Sequence, residues 1–141
     1  MRIRHALTVL AGCTVVVLAG IAPATAAAEA PTCSSEPRTV TPVDLGYHDQ
    51  WTYTYTLSWC VEDGKIVWAT PGVAHQEHGT TCSWAGRREE ALTRGSEAWT
   101  VFDMSEYTCV RGDGSAQGVN PWVEVTIYPN GDYVVRKGIE E

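Results

Sequence analysis

The sequence predicts an all-β domain, a small antiparallel β-sandwich or barrel of about six to seven strands braced by two disulfides. Three observations carry this prediction. Short segments alternate apolar and polar residues, turn signals separate these segments, and an even number of cysteines follows the N-terminal segment. A chain of 141 residues, 44% of them hydrophobic, is long enough for one domain with its own core.

Residues 1–28 are predicted to be a cleaved signal peptide. Arginines near the start are followed by an apolar run over 6–21 and then by small residues. Ala26 and Ala28 satisfy the A-x-A rule, so we expect cleavage after Ala28 and a single secreted β domain over 29–141. A second A-x-A pair, two residues earlier, offers another cleavage position.

Cys13 introduces an alternative, because "LAGC" at 10–13 resembles the lipobox of lipid-anchored proteins. The apolar run continues beyond Cys13 and few residues precede it, which favours export with full cleavage. No further apolar run in the sequence is long enough to span a bilayer. The predicted location is therefore extracellular, with a lipid anchor on Cys13 as the minor alternative.

The acidic charge of the chain argues against two classes of partner. Removal of residues 1–28 takes away two arginines and no acidic residue, which changes the formal net charge from −7 to −9. An acidic surface without a basic stripe is unsuited to nucleic acids and to anionic membranes. The expected partner is an extracellular protein or a glycan, and the sequence leaves the oligomeric state open.

The cysteines after residue 28 predict two disulfides, because an even number in a short exported chain is typical of oxidised pairs. They are Cys33, Cys60, Cys82 and Cys109. The first two and the last two are each 27 positions apart, with Gly46 and Gly95 near the middle of the two intervals. A chain reversal at each glycine would bring the flanking cysteines together. Among the three possible connectivities, this favours Cys33–Cys60 with Cys82–Cys109.

Alternation is clearest in "WTYTYTLSWC", residues 51–60, whose large apolar side chains fall on one side of a strand and whose threonines fall on the other. The threonine side suits solvent, so the aromatic side is predicted to be core. The Asp63-Gly64 turn leads into "IVWAT", which predicts a hairpin whose second strand ends at Pro71 and Gly72.

Three later segments have different patterns. "GRREEALTRG" lacks alternation and contains good helix formers, so a short helix over 86–94 competes with a strand. "EAWTVFDMSEYTCV" predicts a strand in which the apolar parity shifts near Asp103, as a β-bulge or a bend would cause. "WVEVTIYPNGDYVVRKG" predicts a hairpin whose Asn-Gly turn places Ile127 opposite Val134.

Exposed aromatic residues are the candidates for ligand binding. Trp and Tyr each occur six times and Phe once, and a large ring with a polar tip suits binding faces as well as half-buried positions. The valines and the isoleucine of the last hairpin already supply its apolar face, which leaves its larger rings free for a ligand. The candidate binding residues are Trp122, Tyr128 and Tyr133.

No cofactor and no specific metal site are predicted. "HQEH" places His75 and His78 on either side of a glutamate, a donor set suited to zinc or copper, but solvated loop histidines are far commoner. Residues 113–124 match the oxygen-ligand spacing of a calcium loop, but a proline interrupts them and a strand follows. We interpret 113–124 as a Gly-rich connection and keep the two histidines as weak metal candidates.

Catalytic motifs are not visible, because the serine of "GSAQG" is misplaced for a G-x-S-x-G elbow and the cysteines are expected to be oxidised. The first hypothesis is a small secreted non-catalytic binding protein, of which an inhibitor of an extracellular hydrolase is one form. Residues 71–80 and 111–121 are the expected presenting loops. The alternative is a carbohydrate- or cell-wall-binding module that uses exposed Trp and Tyr, and an unrecognised small hydrolase is the third hypothesis.

Overall fold

The computed structural model describes residues 32–141, and all of their regular structure is β-strand. The predicted signal peptide, its cleavage site and Cys13 lie outside the described residues. These residues form two antiparallel sheets, which confirms the all-β prediction, and they contain eight strands, one more than the predicted range. The strands are β1 Arg38–Thr39, β2 Val43–Tyr47, β3 Trp51–Glu62, β4 Lys65–Glu77, β5 Cys82–Arg94, β6 Trp99–Val110, β7 Ala116–Ile127 and β8 Tyr133–Glu140.

Each sheet has four strands. In sheet A, β3 lies at the centre, β1 and β2 pair one after the other with one of its edges, and β4 pairs with the other edge. In sheet B, the order β5-β6-β7-β8 follows the sequence, as in a simple meander. Residues 78–81, between β4 and β5, carry the chain from one sheet to the other.

The two sheets pack face to face through a core rich in aromatic rings. Trp51 of β3 stacks on Tyr107 of β6, with ring centroids 4.1 Å apart. The prediction that the aromatic side of 51–59 is core is confirmed, because its residues are at most 1% exposed: Trp51, Tyr53, Tyr55, Leu57 and Trp59. Burial of each such side chain contributes about 1.5–3 kcal/mol, so this interface is the main source of stability.

Both predicted disulfides are confirmed. Cys33–Cys60 ties the segment before β1 to β3, and its Cα atoms are 5.8 Å apart. Cys82 and Cys109 are directly opposite each other on β5 and β6, with Cα atoms 4.0 Å apart. Each bridge therefore closes within one sheet.

Removal of the second bridge by Cys82→Ala with Cys109→Ala is expected to lower the free energy of unfolding by up to about 3.5 kcal/mol, because the bridge closes a long loop in the unfolded chain. Urea denaturation followed by Trp fluorescence measures this loss. The matched control is Cys33→Ala with Cys60→Ala, which opens a loop of equal length and should cost a similar amount. A loss much below 1 kcal/mol for both would contradict the chain-entropy account.

Residues 86–94 belong to β5, so the helix alternative is wrong. The strand pairs with β6, and two bulges leave Ala85 and Arg88 without a partner in the register. Each bulge inserts an extra residue and so breaks the two-residue alternation along the sequence. Gly86, at the first bulge, has φ 128°, a value that glycine adopts readily. The alternation was therefore invisible in the sequence, although the segment is a strand.

Pro71 and Gly72 do not end β4, which continues to Glu77, and residues 116–121 lie in β7. An edge strand tolerates a proline, because its outward N–H groups need no partner. Gly72 lies opposite Thr56, whose hydroxyl donates to Gly72 O at 3.3 Å. The two predicted presenting loops are therefore shorter than expected, 78–81 and 111–115.

The last hairpin is present, but its register differs by one residue from the predicted one. Ile127 lies opposite Tyr133 instead of Val134. The turn begins at Pro129 and ends at Gly131, whose φ is 99°, so the loop has three residues and not two. Proline fits the first position of such a turn because its φ is fixed near the required value. Because of this shift, Tyr133 and not Val134 lies on the same face of the sheet as Ile127, and each remaining side chain of β8 also lies on the face opposite to the predicted one.

Candidate functional site

Three loops meet at one end of the sandwich, which we call the loop end: residues 48–50, 78–81 and 111–115. They precede β3, β5 and β7, and antiparallel pairing places the starts of these strands beside the ends of their neighbours. Val110 N donates to Thr81 O at 2.7 Å, which joins the second loop to the end of β6, directly before the third loop. The Cys82–Cys109 disulfide lies at the base of the same two loops.

Gln50 fastens the first loop to the second. Its main-chain oxygen accepts hydrogen bonds from His78 N at 2.8 Å and Gly79 N at 3.0 Å. Its side-chain Oε1 accepts from Thr81 Oγ1 at 2.6 Å and from Thr81 N at 3.3 Å. A Cβ at Gly79 would occupy the space of the Gln50 side-chain amide, so a larger residue there would displace that amide from its bonds with Thr81. The loops are thus held by several hydrogen bonds from one residue.

The first loop contains a backbone conformation that is unusual for its residues. His48 and Asp49 are exposed and have φ 44° and 55°, in the left-handed region that glycine and asparagine favour. Both central residues of a type I′ hairpin turn need positive φ, which explains the conformation. Such strain is often found where a loop is shaped for contact with a ligand.

Replacing this pair with the favoured one, His48→Asn with Asp49→Gly, is expected to raise the free energy of unfolding by about 1 kcal/mol. Urea denaturation measures the gain. The matched control is Asp63→Asn in the turn between β3 and β4, where Asp63 and Gly64 have φ 49° and 71° and the pair is already favourable. A loss of stability at 48–49 would mean that the Tyr47–His48 ring contact, 4.3 Å between centroids, outweighs the strain.

The third loop is a tight turn with its own side-chain bonds. Gly114 N donates to Arg111 O at 2.9 Å, and Arg111 N donates to Ser115 O at 2.8 Å. Asp113 Oδ1 accepts from Ser115 N at 2.9 Å and from its hydroxyl at 2.7 Å, and these bonds lower the pKa of the Asp113 carboxyl. Arg111 Nε donates to Gln117 Oε1 at 2.6 Å. All five loop residues are exposed, yet their conformation is well defined by these bonds.

A buried polar cluster lies between the sheets, and its centre is Asp103 on β6. The Asp103 carboxylate is fully buried and accepts a hydrogen bond from the Tyr53 hydroxyl at 2.7 Å. On its other oxygen it accepts from Arg87 Nε at 2.7 Å and from a second guanidinium nitrogen. Arg87 also pairs with Glu90 at 2.7 Å near the surface. The guanidinium therefore links a buried carboxylate to an exposed one.

β6 keeps its register with β7 through Asp103, so the β-bulge predicted as one cause of the parity shift is wrong. Trp99, Val101, Tyr107 and Cys109 are buried on the same face as Asp103 and Ser105. The alternation of apolar and polar residues seemed to shift in the sequence because Asp103 and Ser105, both polar, occupy inward positions on an unbroken strand. A polar residue is accepted there because Arg87 and Tyr53 satisfy its hydrogen bonds.

Burial between the sheets raises the pKa of three tyrosine side chains, Tyr53, Tyr55 and Tyr107. For Tyr53, the causes are burial and then the hydrogen bond to the Asp103 carboxylate, which holds the phenolic proton. For Tyr55, the causes are burial and then the negative charge of Asp103, and its hydroxyl has no hydrogen-bond partner among the described residues. Burial also raises the pKa of Tyr107, whose hydroxyl donates to Thr52 O at 3.1 Å.

The structure does not bring the candidate binding residues together. Trp122 lies half-buried on the outer face of sheet B, where its ring covers Gly138 on β8. Tyr133 lies on the inner side, with its ring 6.2 Å from that of Trp59 and its hydroxyl 3.1 Å from Thr41 Oγ1. Tyr128 is half-buried at the start of the last turn. Trp122 and Tyr133 therefore cannot contact one small ligand at the same time.

The two candidate metal ligands also point to different neighbours. The His75 ring stacks on Trp84 with centroids 4.1 Å apart, and His78 Nε2 is 3.1 Å from Thr52 Oγ1. Within residues 32–141, the group of three possible ligand atoms lying close together is Cys33, Cys60 and Glu62, in which both sulfurs belong to the disulfide. In the calcium-like stretch, Glu124 lies on β7 and bonds Arg136 at 3.3 Å instead of closing a loop.

The roles of three residues were missed in the sequence. Asp103 had a recognisable signal, because an acid on the apolar side of an otherwise regular strand implies a buried partner. Gln50 and Arg87 had none, since Gln50 acts through a turn and Arg87 reaches Asp103 only because of the bulges in β5. No family model matches the chain, and no curated protein or solved structure gives a significant match.

Proposed function

We propose that this protein is a small secreted non-catalytic binding protein that presents its loop end to a protein target, and that inhibition of an extracellular hydrolase is one form of this role. The observation that carries the proposal is the meeting of three loops at one end, held together through Gln50 and the Cys82–Cys109 bridge. Exposed loops on a rigid β scaffold are a common way of forming a binding surface.

Preorganisation supports this role. A loop that is flexible before binding loses conformational entropy when it binds, and this cost reduces affinity. In the loop end, hydrogen bonds already define 48–50, 78–81 and 111–115, so little further ordering is needed. An inhibitor of a hydrolase requires rigid exposed loops. Such loops can fill the active-site cleft of the enzyme without rearranging into a conformation in which the enzyme could cleave them.

An extracellular setting agrees with two structural findings. Both disulfides are present, and oxidised pairs persist outside reducing compartments. Within the described part of the chain there is no helix that is long and apolar enough to cross a membrane. Secretion itself rests on the sequence of residues 1–28, and intact-mass measurement of the exported protein tests it.

A pair of matched variants tests the loop end. The first changes one residue in each loop, His48→Ala, Thr80→Ala and Arg111→Ala. The second changes the opposite end of the sandwich, Ser96→Ala, Glu97→Ala and Asp132→Ala. Immobilised protein is exposed to the secreted proteins of the producing cells and of neighbouring species. A target bound by wild type and the second variant, but at least about tenfold more weakly by the first, is the expected result. Equal binding by both variants would place the interaction elsewhere.

The inhibitory form has its own measurement. Residual activity of a panel of secreted proteases and amylases is recorded with wild type and with the same two variants. Inhibition that disappears in the loop-end variant supports the specific form. If a target binds the loop end but keeps its full enzymatic activity, the binding role stands and the inhibitory role is contradicted.

A glycan-binding role is the second candidate, and the position of Trp122 favours it. Its half-buried ring lies over Gly138 and is 6.4 Å from the Phe102 ring on the outer face of sheet B, and aromatic faces are surfaces on which sugar rings stack. Trp fluorescence titrated with soluble wall glycans tests this role. A change that is lost in Trp122→Ala and kept in Tyr128→Ala supports it, and no change with any glycan contradicts it.

A further inference from the structure

The sandwich is closed along one side. Across that side Arg38 Nη1 donates to Asn130 O at 2.8 Å, and Lys137 Nζ donates to Asp44 O at 2.9 Å. Thr41 N also donates to the Tyr133 hydroxyl at 3.3 Å. These bonds tie β8 and the turn before it in sheet B to β1, β2 and their connection in sheet A.

The opposite side, between β4 and β5, is tied near the loop end and open further along. At the loop end Glu77 Oε1 accepts from Trp84 N at 2.6 Å. Beyond it, residues 89–94 of β5 are all exposed. A groove of about 290 Å³ separates the strands there, with Ala69 and Pro71 on one wall and Leu92 on the other.

β5 is an edge strand whose outward N–H and C=O groups have no strand partner in the described chain. Leu92 on this edge is 40% exposed. A long exposed edge is a template for pairing with a further strand unless the sequence blocks it. The two bulges disrupt the first half of β5, whereas residues 89–94 pair regularly with β6 and present an undisturbed edge.

The sequence of this edge is complementary to itself in one register. Two copies of one strand can pair antiparallel about a twofold axis. Two residues that lie directly opposite each other must both direct their N–H and C=O groups to the same side, and this direction alternates along a strand. The axis therefore passes through a position at which a residue lies opposite its own copy. With the axis at Glu90, two glutamates oppose each other, and with the axis at Ala91, Arg88 opposes Arg94. With the axis at Leu92, the two leucines pack together and Glu90 opposes Arg94 twice.

Existing contacts hold these side chains on one face of β5. Glu90, Leu92 and Arg94 pair with Asp103, Val101 and Trp99 of β6, which places all three on the inner face beside the groove. Glu90 is bound by Arg87 at 2.7 Å, and the Arg94 guanidinium lies 5.1 Å from the Trp99 ring centroid. Their charges are therefore already ordered along the edge before a partner arrives.

We propose that a second copy of this chain binds along residues 90–94 of β5, with Leu92 at the twofold axis and Glu90 of each copy paired with Arg94 of the other. The two B sheets then form one continuous sheet. The second copy is favoured over an unrelated peptide because this register places opposite charges together at both ends of the contact. The inference is independent of the role proposed for the loop end.

Sedimentation equilibrium of the purified oxidised protein, from the micromolar to the millimolar range, tests the proposal. Wild type is expected to show a reversible monomer–dimer equilibrium. Leu92→Lys and Arg94→Glu each raise the dissociation constant by at least about tenfold, because they place like charges opposite each other. Glu90→Gln with Arg94→Gln removes the attraction without adding a repulsion, so its dissociation constant should lie between those of wild type and Arg94→Glu.

Val134→Lys is the matched control, since Val134 is 53% exposed on the other edge strand of the same sheet and should leave the equilibrium unchanged. Amide hydrogen exchange of wild type supplies a measurement without variants, and protection of 90–94 should rise with protein concentration. A monomer at every concentration overturns the proposal. A dimer that survives Leu92→Lys, or one that is lost in Val134→Lys, overturns it as well.

Discussion

Arg87→Met is expected to lower the free energy of unfolding by about 3–5 kcal/mol. Methionine keeps much of the apolar stem of arginine but removes the guanidinium, which leaves the fully buried Asp103 carboxylate without its cation. The Tyr53 hydroxyl and a long contact from Ser105 Oγ at 3.4 Å are then its remaining partners. Guanidinium chloride denaturation followed by Trp fluorescence measures the loss.

Further variants separate loss of charge balance from loss of packing. Arg87→Met with Asp103→Leu and Tyr53→Phe replaces the carboxylate and its two main partners by apolar groups and should recover most of the stability lost in Arg87→Met. Arg88→Met is the matched control, because Arg88 is exposed and its contact with Glu106 is 3.7 Å long, so its loss should cost less than about 1 kcal/mol. A small effect of Arg87→Met would mean that water reaches Asp103.

Alkaline pH is expected to destabilise the protein steeply. The folded pKa values of Tyr53, Tyr55 and Tyr107 are raised, chiefly by burial, above the value near 10 that holds in the unfolded chain. The stabilisation is therefore complete below pH 10 and is lost as pH rises above it, because the unfolded state releases three protons that the folded state keeps. The slope is about 4 kcal/mol per pH unit above pH 10.

Free energies of unfolding at pH 9, 10 and 11, together with tyrosinate absorbance, measure this slope. Tyr55→Phe is the informative variant, because the Tyr55 hydroxyl is buried and has no hydrogen-bond partner within residues 32–141. It should reduce the slope by about a third and leave stability at pH 7 unchanged or higher by about 1 kcal/mol. A slope that Tyr55→Phe does not alter would show that this hydroxyl ionises in the folded state.

Sequence patterns predicted the parts of the fold that depend on local alternation and on cysteine spacing. The row from Trp51 to Trp59 alternates without interruption, and its aromatic side is the core. The equal spacing of the cysteines predicted the correct pairing. These predictions were correct because side chains in a strand alternate with a fixed period of two and because a disulfide can join only residues within a narrow range of distance.

Other parts depend on neighbours that a sequence does not show. The strand character of 86–94 comes from pairing with β6, and its bulges removed the periodic signal. The register of the last hairpin was set by Pro129, which lengthened the turn by one residue. To predict the loop end, one would need the contacts that Gln50 makes with residues about thirty positions away in the sequence. No local pattern marks such contacts.

The placement of the disulfides makes the chain divisible. Within residues 32–141, one bridge lies wholly before the connection at 78–81 and the other wholly after it. A single peptide cleavage in that connection leaves two fragments, 32–77 and 82–141 at their shortest, with no covalent bond between them. Their reassembly would rest on noncovalent contacts alone, which are the aromatic interface and the hydrogen bonds between the sheets. Mixing separately produced fragments therefore offers a complementation assay that reports on the combined strength of these contacts.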